Sequence, residues 1–240
     1  DDTDNAKTAT FTDTWVGAQD NDSVTVTTTG TADVITVSAN LAAANTLTLA
    51  DAGGGYTLSS TTDNRVTIGA DAGTDGTKAV TLGDENDIVT GSADADSVTI
   101  TTNHASHNDN VSLGAGNDTI TLANLITATD TIAGGAGTDT LQIPATTGVD
   151  MTDAAWTLVT GFDAVSLLDD TDDAKTATFT DAWVGGSDSD SVTLTTAGAA
   201  DVITVSANLS AGMTLTLADA GAGYTLSSTT DNRVTIGADA

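Results

Sequence analysis

The chain has 240 residues and a formal net charge of −29, with 34 acidic side chains against five basic ones. Nucleic-acid phosphates and anionic lipid head groups repel such a charge, so we expect no nucleic-acid partner and no membrane insertion. No apolar run is long enough for a transmembrane helix. The absence of cysteine excludes disulfides, thiolate metal sites and cysteine nucleophiles.

The acidic residues are almost all of one kind, because Glu85 is the single glutamate. Aspartate favours turns and compact oxygen-ligand sites, whereas helical surfaces favour glutamate. Threonine makes up about one residue in five, which suits strands, and Gly makes up one in ten, which suits turns. The composition therefore indicates an all-β protein with many turns, many bound cations, or both.

A long internal repeat organises the chain. Residues 1–72 match residues 169–240 without a gap, and 60 of the 72 positions are identical. We interpret residues 1–168 as one complete unit and residues 169–240 as a truncated second copy, taken from a longer tandem array. Repetition at this identity is typical of structural or display proteins, and no nucleophile–base pair is apparent, so we expect no enzymatic activity. Neighbouring units are the expected partners, with self-assembly into a fibre or lattice as an extension.

Short strands with alternating apolar residues recur from the start of the unit. Period-two alternation predicts one buried and one solvated face, and the mean interval between strands is about 10 to 11 residues. The alternating segments are 24–26, 35–37, 47–49, 66–68, 80–82, 98–100 and 120–122. The glycine-rich turn is missing around Leu47, Tyr56 and Val66, so we expect coils without metal there.

Residues 134–142 (GGAGTDTLQ) fit the nonapeptide G-G-x-G-x-D-x-U-x, in which U is a large apolar residue. Residues 113–121 fit with Leu113 at the first glycine. Weaker copies keep only an aspartate and the apolar residue that follows it. Alternate aspartates of this series recur at a nearly constant interval, a period of about 21 residues that is typical of repeat architectures. The six aspartates are Asp87, Asp96, Asp109, Asp118, Asp130 and Asp139.

This spacing predicts a parallel β-solenoid, or β-roll, with a coil of about 21 residues. Asp87, Asp109 and Asp130 would form one column, and the other three aspartates would form the opposite column. Coils stack about 4.8 Å apart, so the carboxylates would repel one another. Calcium accepts 6–8 oxygens, and its binding would convert this repulsion into attraction and couple metal binding to folding.

From about residue 82 to 142 the chain resembles the RTX family of calcium-binding repeat proteins, as found in bacterial surface-layer proteins and giant adhesins. The segment 160–167 (TGFDAVSL) resembles a spacer that often follows such repeats, within a spacer or cap over 150–168. The resemblance implies that aspartates and glycine-loop carbonyls hold Ca²⁺, and that the protein is exported by type I secretion and lies at the bacterial cell surface. The implied calcium residues are the six aspartates together with Gly114, Gly116, Asn117, Gly135 and Gly137.

A second set of aspartates lies before strands without a full glycine motif, and we expect calcium or ordinary Asx-turns at these positions. They are Asp20, Asp22, Asp33, Asp84, Asp94, Asp188, Asp190 and Asp201.

Three further features of the sequence concern a helix, the tryptophans and the histidines. Residues 152–160 predict one short helix, with Thr152 as N-cap and Gly161 at its C-terminal end. Trp15, Trp156 and Trp183 are expected as core plugs or coil caps, with glycan stacking as the alternative. His104 and His107 have zinc-like spacing but no third ligand, and we interpret them as solvated loop residues.

Alternatives remain for both fold and function. The rival fold is a tandem array of immunoglobulin-like sandwiches, which normally need units of about 100 residues and an aromatic core. The leading function is a calcium-stabilised structural segment of an extracellular surface protein. The alternatives are an adhesin module that binds glycan, ice or another cell, and the repeat region of a secreted RTX toxin or enzyme.

Overall fold

The computed structural model describes residues 7–18, 22–27, 35–50, 56–58, 62–68, 78–83, 85–101, 107–122, 128–143, 149–150, 154–168, 174–184, 187, 191–196, 202–217, 223–226 and 235–236. Within these residues the fold is an all-β, parallel β-solenoid with almost no helix, as the sequence predicted. The rival immunoglobulin-like sandwich is excluded, because every strand pair described is parallel.

The strands of the described residues are short, and they run in chain order as follows: β1 (Lys7–Thr12), β2 (Ser23–Thr27), β3 (Ile35–Asn40), β4 (Thr46–Ala50), β5 (Tyr56–Leu58), β6 (Asn64–Ile68), β7 (Lys78–Leu82), β8 (Asp87–Thr90), β9 (Asp96–Ile100), β10 (Asn110–Ala115), β11 (Thr119–Leu122), β12 (Thr131–Ala136), β13 (Thr140–Ile143), β14 (Val149–Asp150), β15 (Val159–Thr160), β16 (Ala164–Leu167), β17 (Ala174–Thr180), β18 (Ser191–Thr196), β19 (Val202–Asn208), β20 (Thr214–Leu217), β21 (Gly223–Leu226) and β22 (Thr235–Ile236).

Helices of the described residues are confined to three single turns. A 3₁₀ helix covers Ala154–Trp156, inside the region where the sequence predicted one short helix. The predicted N-cap, Thr152, lies outside the described residues. The prediction that Gly161 ends the helix is wrong, because the helix ends at Trp156 and Gly161, with a φ of 72°, follows strand β15. No helix of the described residues is long and apolar enough to cross a membrane.

The other two helical turns were not predicted. The four-residue helices α1 (Asp13–Val16) and α2 (Asp181–Val184) occupy equivalent positions in the two copies of the repeat. Thr12 caps α1, since its hydroxyl accepts the amide of Trp15 at 3.3 Å.

The chain alternates between two sides of the solenoid. One side is an eleven-stranded sheet, in the order β1-β3-β5-β7-β9-β11-β13-β16-β18-β20-β22. The other side carries a seven-stranded sheet, β15-β12-β10-β8-β6-β4-β2, followed by a four-stranded sheet, β14-β17-β19-β21. We call these sheets A, B and C. Sheet C continues the side of sheet B, since β14 and β15 belong to one half-coil between β13 and β16.

The coil length varies around the predicted value. Val98, Ile120 and Leu141 are aligned neighbours in sheet A, so the two coils that they define have the predicted length. Elsewhere the interval is longer, as between Leu141 and Val165, and the average is about 23 residues per turn. Longer segments between aligned strands account for the difference, as in the half-coil that contains β14, the 3₁₀ helix and β15.

The core is a single apolar column between the two sides. Alternate strand residues point inward and are fully buried, as Ile120, Ile132 and Leu141 are at 0% exposure. Their neighbours along each strand point outward, so a one-residue shift in register would expose the whole apolar set. Tyr56, Phe162 and Phe179 are the aromatic members of the buried set with the least exposure.

Equivalent strands of the two copies lie on opposite sides of the solenoid. In the first copy, β1, β3 and β5 belong to sheet A, whereas their equivalents β17, β19 and β21 belong to sheet C. Conversely, β2, β4 and β6 belong to sheet B and their equivalents β18, β20 and β22 belong to sheet A. Counted on the described strands, fifteen half-coils lead from β1 to β17, so the second copy begins half a turn out of phase.

Candidate functional site: two buried aspartate columns

The six motif aspartates lie at the two edges of the solenoid, where the chain enters a strand. Asp87, Asp109 and Asp130 lie at or directly before the first residue of a strand of sheet B, and they form what we call the first column. Asp96, Asp118 and Asp139 open strands of sheet A and form the second column. All six are at most 1% exposed. The sequence spacing therefore placed these residues in the correct two groups.

Hydrogen bonds to main-chain amides join successive members of the first column. The amide of Asp87 donates to Oδ1 of Asp109 at 2.9 Å, and the amide of Asp109 donates to Oδ1 of Asp130 at 3.0 Å. Asn64 extends this column toward the N-terminus. Its amide and its Nδ2 both donate to Oδ1 of Asp87, at 3.0 and 2.7 Å, and its own Oδ1 accepts the amide of Ala39.

The second column repeats this pattern at the opposite edge. The amide of Asp96 donates to Oδ1 of Asp118 at 2.7 Å, and the amide of Asp118 donates to Oδ1 of Asp139 at 2.8 Å. Asp163 extends the column, since its Oδ2 accepts the amide of Asp139 at 3.1 Å. Each carboxylate thus satisfies a main-chain donor at a corner where the strand ladder cannot reach it.

Asn64 and Asp163 were missed by the sequence analysis, although a signal was present. Both residues stand two positions before a buried apolar residue, Val66 and Val165, as the motif aspartates do. Their separations in sequence from the column members that they contact are 23 and 24, whereas hydrogen-bonded neighbours within the columns are separated by 21 or 22. The extra positions placed them just outside the interval that defined the columns.

The second edge carries a loop of positive-φ glycines, whereas the described residues of the first edge include none. Gly114, Gly116, Gly135 and Gly137 have φ values of 99°, 135°, 115° and 130°, a region that favours glycine. The loops of successive coils also stack closely. A Cβ on Gly137 would lie 1.7 Å from the carbonyl oxygen of Gly116, and one on Gly135 would lie 2.0 Å from that of Gly114.

The glycine loop is close to the carboxylates of the second column. A Cβ on Gly116 would lie 3.1 Å from Oδ1 of Asp118, and one on Gly134 would lie 2.8 Å from Oδ2 of Asp139. Main-chain carbonyls and buried carboxylates therefore share this edge. The side chain of Asn117 links the coils from outside the column, because its Oδ1 accepts the amide of Thr138 at 3.0 Å.

At the first edge, asparagine residues link the coils. Asn86 donates its main-chain and side-chain N–H groups to Oδ1 of Asp63, both at 3.3 Å. The amide of Asn108 then donates to Oδ1 of Asn86 at 2.7 Å. His107, at the same edge, places Nε2 at 3.8 Å from Oε2 of Glu85. His104 lies outside the described residues.

Burial raises the pKa of two column members. Removal from water is the largest cause in both cases, because it penalises the charged carboxylate. The pKa of Asp87 is raised from 3.8 to about 7, with repulsion from Asp109 adding to desolvation and the Asn64 hydrogen bonds opposing it. The pKa of Asp118 is raised to about 6, with Asp139 and Asp96 adding to the effect. Oδ2 of Asp87 and Oδ2 of Asp118 are buried without a hydrogen bond.

The second set of aspartates is only partly described. Asp22 is exposed with φ of 50°, and its carbonyl accepts the amide of Thr46 at 3.0 Å. The amide of Asp94 donates to Oγ of Ser92, within the turn before the second column. The remaining members lie outside the described residues: Asp20, Asp33, Asp84, Asp188, Asp190 and Asp201.

The tryptophans differ in environment. Trp156 and Trp183 are 4% and 8% exposed, whereas Trp15 is 52% exposed. Across the described part of the chain, no three Asp, Glu, His or Cys side chains gather closely enough to hold a metal ion by themselves. Searches against protein-family models, curated proteins and solved structures give no match to this chain.

Replacing Gly137 by Ala is expected to destabilise the fold by on the order of 2–4 kcal/mol, because it combines an unfavourable φ with a clash against a main-chain oxygen. Thermal unfolding followed by circular dichroism measures the effect. Gly212→Ala is the matched control, since its Cβ would meet nothing within 4 Å. Equal melting temperatures for the two variants would show that the glycine loops do not stack as described.

The metal-free protein is expected to become more stable as the pH falls from 8 to 5. A carboxyl with a raised folded pKa contributes stability that is fully present below its unfolded value of 3.8 and is lost as the pH rises to about 7. For Asp87 this contribution is at most about 4 kcal/mol. Circular dichroism in chelator from pH 8 to 5, with urea unfolding at the pH values where the chain is folded, measures it. Asp87→Asn should reduce the dependence and leave the part that Asp118 contributes, whereas Asp150→Asn, which removes the same charge outside both columns, should not reduce it.

Proposed function

We propose that this chain is a calcium-stabilised structural segment of an extracellular bacterial surface protein, a surface layer, fibre or adhesin stalk, in which the solenoid provides length and stiffness. The single observation that carries the proposal is the pair of aspartate columns, whose carboxylates are buried although the chain has a net charge of −29. A buried carboxylate needs a proton or a cation near it. At neutral pH outside a cell, millimolar calcium is the cation that prefers oxygen ligands.

The second edge is the better supported calcium site. Oδ2 of Asp118 is buried and accepts no hydrogen bond, so it is available to a cation. The glycine loops supply main-chain carbonyls beside the same carboxylates, which is the mixture of donors that Ca²⁺ takes up at about 2.3–2.6 Å. Since the side chains alone do not form a cluster, the carbonyls would have to complete the coordination.

Calcium would act on stability more than on shape in this proposal. Each ion that binds only the folded chain adds about 2.7 kcal/mol when its concentration is a hundred times the dissociation constant. Several ions along one edge would therefore convert a self-repelling solenoid into a stable rod. Export by type I secretion and folding on contact with external calcium belong to the same proposal, and they rest on the RTX resemblance.

Circular dichroism with and without calcium, together with a calcium count by calorimetry, tests the proposal. We expect a weak β signal in chelator, a strong one with calcium, and several ions per chain. Asp118→Asn should lower the number of ions bound and reduce the calcium-dependent rise in melting temperature, because an amide keeps the hydrogen bond from Asp96 but loses the charge.

Asn64 shows that an amide fits a column, so Asp118→Asn is expected to fold. Asp150→Asn, with the same change in charge, should bind as many ions as the unmodified chain. A melting temperature that is unaffected by calcium in the unmodified chain would contradict the proposal.

A binding module for a repetitive ligand, glycan or ice, is the second candidate, and one observation favours it. Outward threonines of sheet A lie in register on six successive strands, Thr8, Thr36, Thr57, Thr81, Thr99 and Thr121, before Gln142 interrupts the column. One hydroxyl per coil, about 4.8 Å apart, is a regular array that a periodic ligand could match.

Thermal hysteresis and a glycan array test the second candidate. If the column binds ice or glycan, replacing Thr81 and Thr99 together by Val should abolish the signal, because Val keeps the shape and removes the hydroxyl. Thr67 and Thr90, which are aligned in the shorter threonine column of sheet B, provide the matched control pair. No signal from the unmodified chain in either assay would eliminate this candidate.

A further inference from the structure

The two copies of the repeated sequence have different neighbours. In the second copy, β17 pairs with β14 and β18 pairs with β16. In the first copy, the equivalent strands β1 and β2 are terminal strands of sheets A and B within the described residues, and they pair only with β3 and β4. Within the described residues, this surface is therefore paired on both sides in the second copy and on one side in the first, and we call these the occupied and the open version.

Apolar residues of the first copy are more exposed than their equivalents in the second copy. This holds along strands β1 and β2 and at the tryptophan between them. Trp15 is 52% exposed, whereas its equivalent Trp183 is 8% exposed. The partly buried residues of the first copy are Ala9, Phe11, Val24 and Val26. Their equivalents in the second copy, Ala177, Phe179, Val192 and Leu194, are at most 1% exposed. Near-identical sequences therefore bury more apolar surface where residues 149–168 precede them.

We propose that the end formed by β1, α1 and β2 is an interaction surface, and that its partner is residues 149–168 of a further copy of the repeat unit. We call these residues the junction segment. The internal copy fixes the register. Val149 would align with Ala9 and Asp150 with Thr10, as they do with Ala177 and Thr178. Val165 would align with Val26 and Ser166 with Thr27, as they do with Leu194 and Thr195.

Two physical terms favour this occupant. Open strand edges present unpaired main-chain groups that another parallel strand can satisfy. In addition, the indole of Trp15 and the ring of Phe11, whose centroids are 5.7 Å apart, form an apolar surface at the open end. The equivalent pair, Phe179 and Trp183, keeps the same centroid distance of 5.7 Å in the occupied version. The open surface is therefore preformed for its partner.

The junction also sets the orientation of joined units. Since fifteen half-coils separate β1 from β17, a unit joined in this way is rotated by half a turn relative to the unit before it. Equivalent surfaces, including the outward residues of β1 and β17, then face opposite sides in alternate units. A tandem array would accordingly present each surface feature on both sides, with a structural period of two units.

The fluorescence of Trp15 tests the junction. The chain is prepared with Trp156→Phe and Trp183→Phe, alone and extended at its N-terminus by residues 145–168 carrying Phe at the added position 156. With calcium at saturation, the extension should shift the Trp15 emission to shorter wavelength. It should also lower acrylamide quenching several-fold, in line with exposures of 52% and 8% for the two versions.

A chain in which Trp183 is the sole tryptophan gives the reference for the occupied state and reports that the extended chain has folded. The matched control carries Val165→Asp in the added segment only, which should leave Trp15 exposed. If the phenylalanine variants do not fold, fluorine NMR of 5-fluorotryptophan in the unmodified chains replaces fluorescence. An exposed Trp15 in a folded extended chain would overturn the proposal.

The proposal does not rest on calcium binding. Calcium stoichiometry is measured separately, so the junction and the calcium sites can fail independently.

Discussion

A buried carboxylate that accepts a main-chain amide from the preceding coil is the contact on which this solenoid depends. At the coil edges the strand ladders end, and the amides of Asp87, Asp96, Asp109 and Asp118 would otherwise be buried donors without acceptors. An unsatisfied buried donor costs about 1–3 kcal/mol. The short side chain of Asp places its oxygen one coil away, and this geometry explains why Asp occupies the column positions.

The same contact creates an electrostatic cost that the rest of the sequence must offset. Carboxylates that are stacked about 4.8 Å apart and removed from water resist ionisation, and the raised pKa values of Asp87 and Asp118 express this resistance. The two edges offset the cost differently. At the first edge, the neutral Asn64 ends the column and donates to Asp87. At the second edge, glycines bring carbonyl oxygens next to the carboxylates, which adds partial negative charge, so this edge needs a proton or a cation to offset the cost.

Much of this arrangement could be predicted from the sequence, because residue types that recur at fixed intervals reveal both the strand period and the coil period. Alternating apolar residues gave the buried face, and the aspartate spacing gave the two columns. The column ends were harder to predict. At Asn64 a side-chain amide oxygen accepts the main-chain N–H that a carboxylate accepts at the other positions. Helix α1 was missed because four residues capped by Thr12 give no periodic apolar signal.

Contacts between turns that are distant in the sequence could not be predicted from motifs. The carboxylate of Asp13 holds the turn that starts at Ala42, with the Asn45 amide 3.2 Å from its Oδ1. In the second copy the amide of Ser210 makes the same contact to Asp181 that the amide of Ala42 makes to Asp13. Met213 replaces the asparagine, and the hydroxyl of Ser210 supplies the second contact to the aspartate. The two copies thus satisfy the equivalent aspartate with side chains from different positions, Asn45 in the first copy and Ser210 in the second.

The change of side between the two copies could not be predicted either, because it depends on a count of half-coils and not on any residue pattern. The unit contains an odd number of half-coils, since β14, the 3₁₀ helix and β15 together fill a single half-coil. Within that half-coil β15 pairs backward with β12 and β14 pairs forward with β17. One irregular half-coil therefore ends one sheet and starts the next. Its buried Trp156 fills the core where the strand ladder is interrupted, which keeps the apolar column continuous while the repeat passes to the opposite side.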